Sequence, residues 1–493
     1  MRRYAASAPV LVLILVQMGH ACLDSQSAYR FTGTVCRLTY PAALVLNEKT
    51  TKVIEAAFQH ARYPSIEGEK SMSIFGKVDY GLHNLEIYNL SIGRSEVELR
   101  PNEGVGIAIS NVSAVFKGRF TYAYSWLISV SQSVDFEIES HIDLAINPRL
   151  YCGRGKVAAD TSDCHLIFHK LNLHLQGDRE PGWLKRIFTE FVSLTVQLVV
   201  KGQVCSEINS VANILSDFIQ ETAENFLSDG GIGVDISVTS APVITSNYIE
   251  SYHKGLTFYN NTKAVITASV FNPAQLGEER MLYFWISDEV MQPLMTAAHL
   301  DGRFVRYISG QELTDLFKAD MSTAMPNFIN QLLFSAPVLK VWSVSAPDLW
   351  TTPDGTHVKA MAAVEMTSGS GASSLYVEMD VEVSVRASYE DKKFILTAKP
   401  LSISITNTSN HEGTLQLEEA HVNYLKEAVE KIGIPKVLSY LEHGITTLLD
   451  RQGLNLFDIM NHDVIPQNGY VLIQMDFGFP HHLLVEFLRK TLE

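Results

Sequence analysis

The chain has 493 residues, with 54 Asp and Glu against 39 Lys and Arg, for a formal net charge of −15 at pH 7. That acidity argues against nucleic acid as a partner and against unassisted docking on anionic membranes. The length exceeds one core and asks for two or three domains, while an apolar fraction of 46% leaves more apolar surface than ordinary secreted cores consume.

Met1–Ala21 reads as a secretory signal. Arg2 and Arg3 precede an apolar run from Ala8 to Val16, and small Gly19 and Ala21 stand before a cut at Cys22. Losing Arg2 and Arg3 moves the formal charge from −15 to −17. No later run approaches the roughly 18–20 apolar residues that span a bilayer, and Phe191–Val200 stops well short. The mature chain is expected to be secreted, without a transmembrane segment. Cys22, Cys36, Cys152, Cys164 and Cys205 all lie in the N-terminal half. They are too few for a disulfide scaffold of this length, and an odd number leaves at least one thiol free. None has zinc-site spacing. Sequons at Asn89, Asn111, Asn260 and Asn407 fit a secreted glycoprotein.

Pro41–Ala61 reads as a helix with Leu44, Val45, Val53, Ile54, Ala57 and Phe58 along one side. From Ser71 to about Leu175 short strands alternate at period two, with Gly, Asn and Asp between them. In HLIFHKLNLHL the alternation puts His165, Ile167, His169, Leu171, Leu173 and Leu175 on one face and His174 on the other, which speaks against a metal cluster. Trp183–Asp229 is helical, with a stripe running from Ile208 through Leu215 and Phe218 to Phe226. Gly230, Gly231 and Gly233 end it, and strand returns. After a crossing segment, Leu256–Gly277, the order repeats. Helical stretches at Asp288–Ala298 and Gly310–Phe334 lead to strands at Val338–Val344, His357–Met366, Leu375–Tyr389 and Phe394–Ile405. A long helix, Thr414–Arg451, is interrupted at Gly433 and Pro435, and a strand, Gly469–Phe479, follows. Helix, antiparallel strands, long helix and strand thus occur twice, the pattern of two α+β halves.

The closing residues Pro480–Glu493 form an amphipathic helix in which Leu483, Leu484, Phe487, Leu488 and Leu492 share one side. So short a helix is marginal alone in water. Burying five such side chains supplies roughly 7–15 kcal/mol, so the tail is expected to be helical when docked on an apolar surface. Two readings stand: a helix closing an ordinary core, or a removable lid over something apolar.

Motifs for covalent chemistry are missing. There is no G-x-S-x-G elbow, no H-E-x-x-H, no P-loop and no strand-to-helix G-x-G-x-x-G. His481 and His482 diverge by about 100° on a helix and cannot share a metal. No catalytic residue, metal or cofactor is assigned, and what remains is apolar surface in two α+β halves, which points to binding.

Several stretches carry a resemblance: CRLTYPAALVLNEKT, GLHNLEIYNLSI, FHKLNLHLQGDREPGW, KGQVCSEIN, LSDGGIGVDIS, RMLYFWIS and QMDFGFPHHLLVEFL. In these the chain resembles the lipid-transfer and lipopolysaccharide-binding family. The third and last are long enough to point to the neutral-lipid branch, whose members end in an apolar helix. The resemblance implies an elongated, curved molecule with two barrel-like domains of antiparallel strands joined by a central sheet. The division would be a signal at 1–21, an N-terminal domain at 22–255, a linker at 256–277, a C-terminal domain at 278–479 and the tail at 480–493. It further implies an apolar tunnel for cholesteryl ester and triglyceride, phosphatidylcholine at two openings, docking on lipoprotein particles, and a monomer. One disulfide is implied, matching Cys164 and Cys205 and leaving Cys22, Cys36 and Cys152 over. Polar residues at the N-terminal opening match Gln220, Ser251 and His253. Thr222 and Ala159 depart from the family pattern there, standing where Arg and Thr are expected. The region between about Asn260 and Asn410 matches least.

The function implied is noncovalent exchange of cholesteryl ester for triglyceride between lipoproteins. A phospholipid carrier of the same fold would not need the apolar tail. A lipopolysaccharide-binding defence protein should carry a cationic tip that this acidic chain does not advertise. A secreted lipase would need the missing nucleophile motif.

Overall fold

The computed structural model describes residues 22–478 except 24, 62, 73–75, 126–128, 177–181, 227, 229, 318–320, 335, 368–372, 411–412, 415–416 and 452–457. The signal at 1–21 and the tail at 479–493 lie outside the described residues. The chain divides into two compact units. One comprises Leu38–Gln220 with Ala241–Ile249, the other the residues up to Arg37 with Glu221–Ser240 and Glu250–Gly478. Among the described residues no helix is long and apolar enough to cross a membrane.

Strand β1 (Thr34–Thr39) hands over directly to the helix Tyr40–His60 at the start of the Leu38–Gln220 unit. There follow β2 (Ile66–Met72), β3 (Gly76–Ser91), β4 (Arg94–Arg100), β5 (Gly104–Ser125) and β6 (Ser129–Ile146). A hairpin of β7 (Arg149–Gly153) and β8 (Lys156–Asp160) precedes β9 (Cys164–Leu175). The main sheet runs β2-β3-β5-β6-β9, antiparallel throughout, with β4 on β5. Period-two patterning buries one face, and the helix Gly182–Phe226 closes it. Val196, Val200, Val204 and Ile208, one turn apart, join Phe116, Ile138, Ile142 and Leu144 in a single core. The Cys164–Cys205 disulfide ties β9 to this helix.

The alternation expected for β9 fails at one residue. His141 pairs with Lys170 and Ile142 with Phe168, so His169 is an extra, bulged residue. A bulge reverses which parity faces inward. Cys164 and Leu166 are buried before it, and Leu171, Leu173 and Leu175 pack on the core after it. His165, His169 and His174 therefore all stand outside, against the expectation that His174 opposes the others. Each meets its own carboxylate: Asp163 at 2.8 Å, Asp143 at 2.5 Å and Glu139 at 4.0 Å. Three separate pairs along a strand are solvated polar contacts rather than one ligand set.

The second unit carries β10 (Ile232–Asp235), the short β11 (Val243–Ile244) having been passed to the first, then β12 (Tyr248–His253), β13 (Leu256–Tyr259) and β14 (Thr262–Lys263). β10, β13 and β14 form a small sheet. Next come β15 (Leu282–Ser287) and the helix Asp288–Leu300, which Ser287 caps by accepting from the Glu289 N–H at 3.1 Å. β16 (Arg306–Ser309), β17 (Val338–Ser343), β18 (Asp348–Thr352), β19 (Gly355–Thr367), β20 (Ser373–Glu390), β21 (Lys393–Asn410) and β22 (Gly413–Thr414) form an antiparallel sheet ordered β16-β17-β19-β20-β21-β22, with β18 on β19. β23 (Asp458–Gln467) and β24 (Tyr470–Gly478) pair in hairpin register, and within this unit the remaining sheet runs β12-β1-β15-β24-β23.

The architecture is α+β, of antiparallel sheets with a few helices, and among the described residues no strand order closes into a barrel. The helical stretch expected at Gly310–Phe334 is two short helices, Gly310–Leu316 and Asn327–Leu333, the second starting after Pro326. The expected interruption at Gly433 and Pro435 is milder. A π turn at Val429–Gly433 links the helices Glu419–Ala428 and Ile434–Arg451, which absorbs the proline without ending the run. Strand β23 had no counterpart in the sequence reading, although the two residues between its partners, Asn468 and Gly469, are a hairpin signal, and Gly469 has φ 83.

Candidate functional site

Of the three residues matched to the N-terminal opening, Ser251 and His253 stand two apart on β12 and so project to the same face. Their side chains touch, Ser251 Oγ lying 2.9 Å from His253 Nε2. The other ring nitrogen, Nδ1, is 2.8 Å from the Ile236 carbonyl oxygen. A carbonyl only accepts, so Nδ1 carries the hydrogen, Nε2 is the acceptor, and the serine hydroxyl donates to it. Burial lowers the His253 pKa below the ordinary histidine range, the Ile236 bond opposing only in part. The imidazole is therefore neutral at physiological pH. A carbonyl rather than a carboxylate orients it, which gives a polar contact surface without the charge partner of a hydrolytic triad.

The opposite face of β12 is charged and sealed. Glu250 and Tyr252 are buried there with Arg37 of β1. Arg37 Nε donates to Glu250 at 2.6 Å, and its two terminal nitrogens donate to the carbonyls of Leu276 at 2.8 Å and Pro273 at 2.9 Å. Tyr252 donates to the second Glu250 oxygen at 2.5 Å. A guanidinium with its fork filled is an acceptable buried cation, and removing either partner would strand the other. Burial, then the Glu250 charge, raises the Tyr252 phenol far above its usual range. The same two causes push the Cys36 thiol up to about 12, and Cys36 is a free cysteine. Cys22 and Cys152 are not free thiols. One strand thus shows a network of ionised groups inward on one face and a neutral hydroxyl and imidazole on the other. A face of that kind can hydrogen-bond a lipid head without imposing a charge on it.

Gln220 lies near the end of the long helix, and its side chain is outside the described residues. The same holds for Thr222, and for Leu483, Leu484, Phe487, Leu488 and Leu492 of the tail. Asn89, Asn111, Asn260 and Asn407 are all exposed. Asn260 sits at the turn between β13 and β14 with φ 51, a left-handed conformation that asparagine tolerates.

Sequence reasoning missed the Arg37–Glu250–Tyr252 network and the apolar surface left uncovered in the second unit. On β20 and β21, Val381 pairs with Ile403, Val385 with Ala398 and Ala387 with Leu396, and every one of these side chains is partly exposed. The neighbouring helix Ile434–Arg451 leaves Val437 50% and Leu441 42% exposed. Alternation along β20 was visible; that its apolar face would stay half open was not.

Residues 44–218 match the model of the LBP / BPI / CETP family, N-terminal domain, and residues 227–478 that of the same family's C-terminal domain. The chain is 43% identical over 495 residues to the cholesteryl ester transfer protein of Gallus gallus, covering 98% of this chain and 97% of that one. Against the cholesteryl ester transfer protein of Homo sapiens the identity is 44% over 498 residues, covering 98% and 99%. A human lipopolysaccharide-binding protein is more distant, at 23% over 416 residues and 80% and 84% coverage. The crystal structure of a lipopolysaccharide binding protein superposes with a TM-score of 0.50 at 18% identity, covering 91% of this chain and 99% of that one, a likeness of fold. With both domain models matched and full-length relatives above two-fifths identity, this chain belongs to the LBP / BPI / CETP family.

Proposed function

We propose that this protein is a secreted, monomeric carrier that exchanges cholesteryl esters and triglycerides between lipoprotein particles, making and breaking no covalent bond. The observation that carries the reading is full-length identity of 43% and 44% to cholesteryl ester transfer proteins. The partly exposed apolar rows of β20 and β21 support it, because neutral lipid needs an apolar wall that protein side chains do not fully cover. The neutral Ser251–His253 pair supports a polar contact for a phosphatidylcholine head, with Gln220 as the third member. In this reading residues 22–255 and 278–479 are two barrel domains joined through the linker 256–277 and a central sheet, the tunnel runs through them, and oligosaccharides occupy the sequons.

The tail is the lid in this reading. Cholesteryl esters and triglycerides have almost no polar head, so leaving a tunnel into water is prohibitive unless the exit is apolar. Leu484, Phe487 and Leu488 supply that surface, and Arg489 and Lys490 keep the outer side solvated. The experiment is transfer of radiolabelled cholesteryl ester between two lipoprotein classes, with wild type, Leu488→Asp and a chain truncated after Phe479. Wild type should transfer, and both variants should lose most transfer while keeping secretion and melting temperature near normal, since a charge on a docked terminal helix frays it locally. No transfer by wild type sinks the function; transfer that survives truncation, or falls only with the amount of folded protein, sinks the lid.

A further inference from the structure

The β7–β8 hairpin and the long helix enclose an open groove of about 490 Å³, lined by Arg149, Tyr151, Ala159, Asp160, Asn209 and Asn213. Its walls are fastened. Lys156 pairs with Asp217 at 3.3 Å, Ser216 donates to the Val157 carbonyl, and Thr161 donates to Asn209 Oδ1 at 2.7 Å. The last bond fixes the Asn209 amide so that its NH2 is left as a donor. One turn on, Asn213 spends its NH2 on the Asn209 carbonyl at 2.9 Å, which leaves its oxygen as an acceptor. Across the hairpin Arg149 stands opposite Asp160. Ser162 donates to Asp160 Oδ1 at 2.9 Å, and these Ser162 bonds, with the Arg149 charge, keep that carboxylate ionised below its usual range. Arg149 is exposed, and so is Tyr151, at 47%.

The lining alternates donors (Arg149, Asn209, Tyr151) with acceptors (Asp160, Asn213) around an aromatic face. Apolar lipid would leave these groups unpaired, at a cost of about 1–3 kcal/mol each. A phosphodiester has acceptors only, and any phosphate would bring its negative charge against the Asp160 carboxylate and the Asn213 oxygen. A pyranose ring offers hydroxyls that donate and accept, and a C–H face for the tyrosine. We infer that this groove binds a neutral saccharide, carried by a glycoprotein or by a glycolipid head on the particle surface. Ala159 is the lining residue shared with the N-terminal opening expected for lipid; the other five are not part of the lipid-exchange reading, and the sugar test does not depend on it.

The test is saturation-transfer NMR on the secreted protein with millimolar lactose and a neutral asialo biantennary N-glycan, beside glycerophosphocholine and inorganic phosphate. The neutral sugars should bind, and Tyr151→Ala and Asn213→Ala should each weaken them about tenfold at unchanged melting temperature and cholesteryl ester transfer. Phosphatidylcholine vesicles with and without asialo-GM1 then separate the sources: retention raised by the glycolipid assigns a membrane source, and equal retention with free-glycan binding assigns a glycoprotein. The proposal is overturned if no neutral sugar binds, if binding survives Tyr151→Ala unchanged, or if glycerophosphocholine or phosphate binds in place of the sugars.

Discussion

The sheet of β2, β3, β5, β6 and β9 and the sheet from β16 to β22 are built alike, of long antiparallel strands beside a helix, but they are filled differently. In the first, Phe116, Val112, Ile138 and Ile142 are wholly buried, and the valines of the long helix drop onto them. In the second, Ile308, Leu313, Ile329, Leu339, Met366, Leu375, Val377, Met379 and Tyr424 form a buried core. Farther along, β20 and β21 carry paired apolar rows that no described residue fully covers. One sheet spends its apolar face on protein. The other keeps part of it, and in a chain with an apolar fraction of 46% that remainder is the surface a neutral lipid would use.

The comparison breaks most directly by truncating one side chain in each sheet. Phe116 is fully buried, with Tyr63 edge-on at 6.3 Å, so Phe116→Ala should cost about 3–5 kcal/mol. Leu396 is partly exposed, and Leu396→Ala should cost about 1 kcal/mol or less in lipid-free protein while reducing lipid that co-purifies. Denaturant melts of the delipidated variants, with mass spectrometry of organic extracts, measure both. Wild type should release neutral lipid and phosphatidylcholine in near-stoichiometric amounts. Equal stability losses with unchanged lipid content would mean that the second sheet is an ordinary core, incompletely packed.

Next in size is the disulfide, which pins the filled sheet. Cys164 and Cys205 are 41 residues apart, and closing such a loop is worth roughly 3–4 kcal/mol. Cys205→Ser should therefore cut secretion sharply. Cys36→Ser replaces a buried, protonated thiol with a group of similar size and should cost about 1 kcal/mol. Secretion yields of the two variants from the same cells decide it; equal yields would sink the claim that this bridge anchors the unit.

Element type was legible wherever side-chain period and length agreed, as in Tyr40–His60, Gly182–Phe226 and the paired strands of both units. The errors have local physical causes. The bulge at His169 is a shift of one residue, which leaves composition unchanged while reversing the face of every later side chain. The π turn at Val429–Gly433 let a helix continue where glycine and proline argued for a stop. Strand β1 was passed over because its buried positions are Val35, Arg37 and Thr39, and a buried arginine breaks the apolar alternation that marks a strand. Of the candidate site, Ser251 and His253 were reachable only through resemblance, since a serine and a histidine two apart carry no signal of their own. The tautomer, set by Ile236, and the Arg37–Glu250 pair behind them depend on segments distant in sequence.

The smallest expected effect is on pH dependence, and it tests whether the polar face of β12 is as neutral as its geometry requires. Burial holds the folded pKa of His253 below the value of about 6.5 that the unfolded chain should show. As pH falls below that value the unfolded state takes up a proton first, so it binds more protons than the native state and stability drops. The stabilisation is complete above the unfolded pKa and is lost as pH falls toward the folded one. Protonation also turns Nε2 from acceptor into donor, so the Ser251 hydroxyl must rotate to accept from it. Wild type should therefore melt at a lower temperature near pH 5 than near pH 7.5. His253→Asn keeps an amide donor for the Ile236 carbonyl without a titrating ring, and its melting profile should be flatter over this range than that of wild type. Parallel profiles for the two proteins would mean that His253 is as easily protonated folded as unfolded, and the neutral face proposed for a lipid head would be gone.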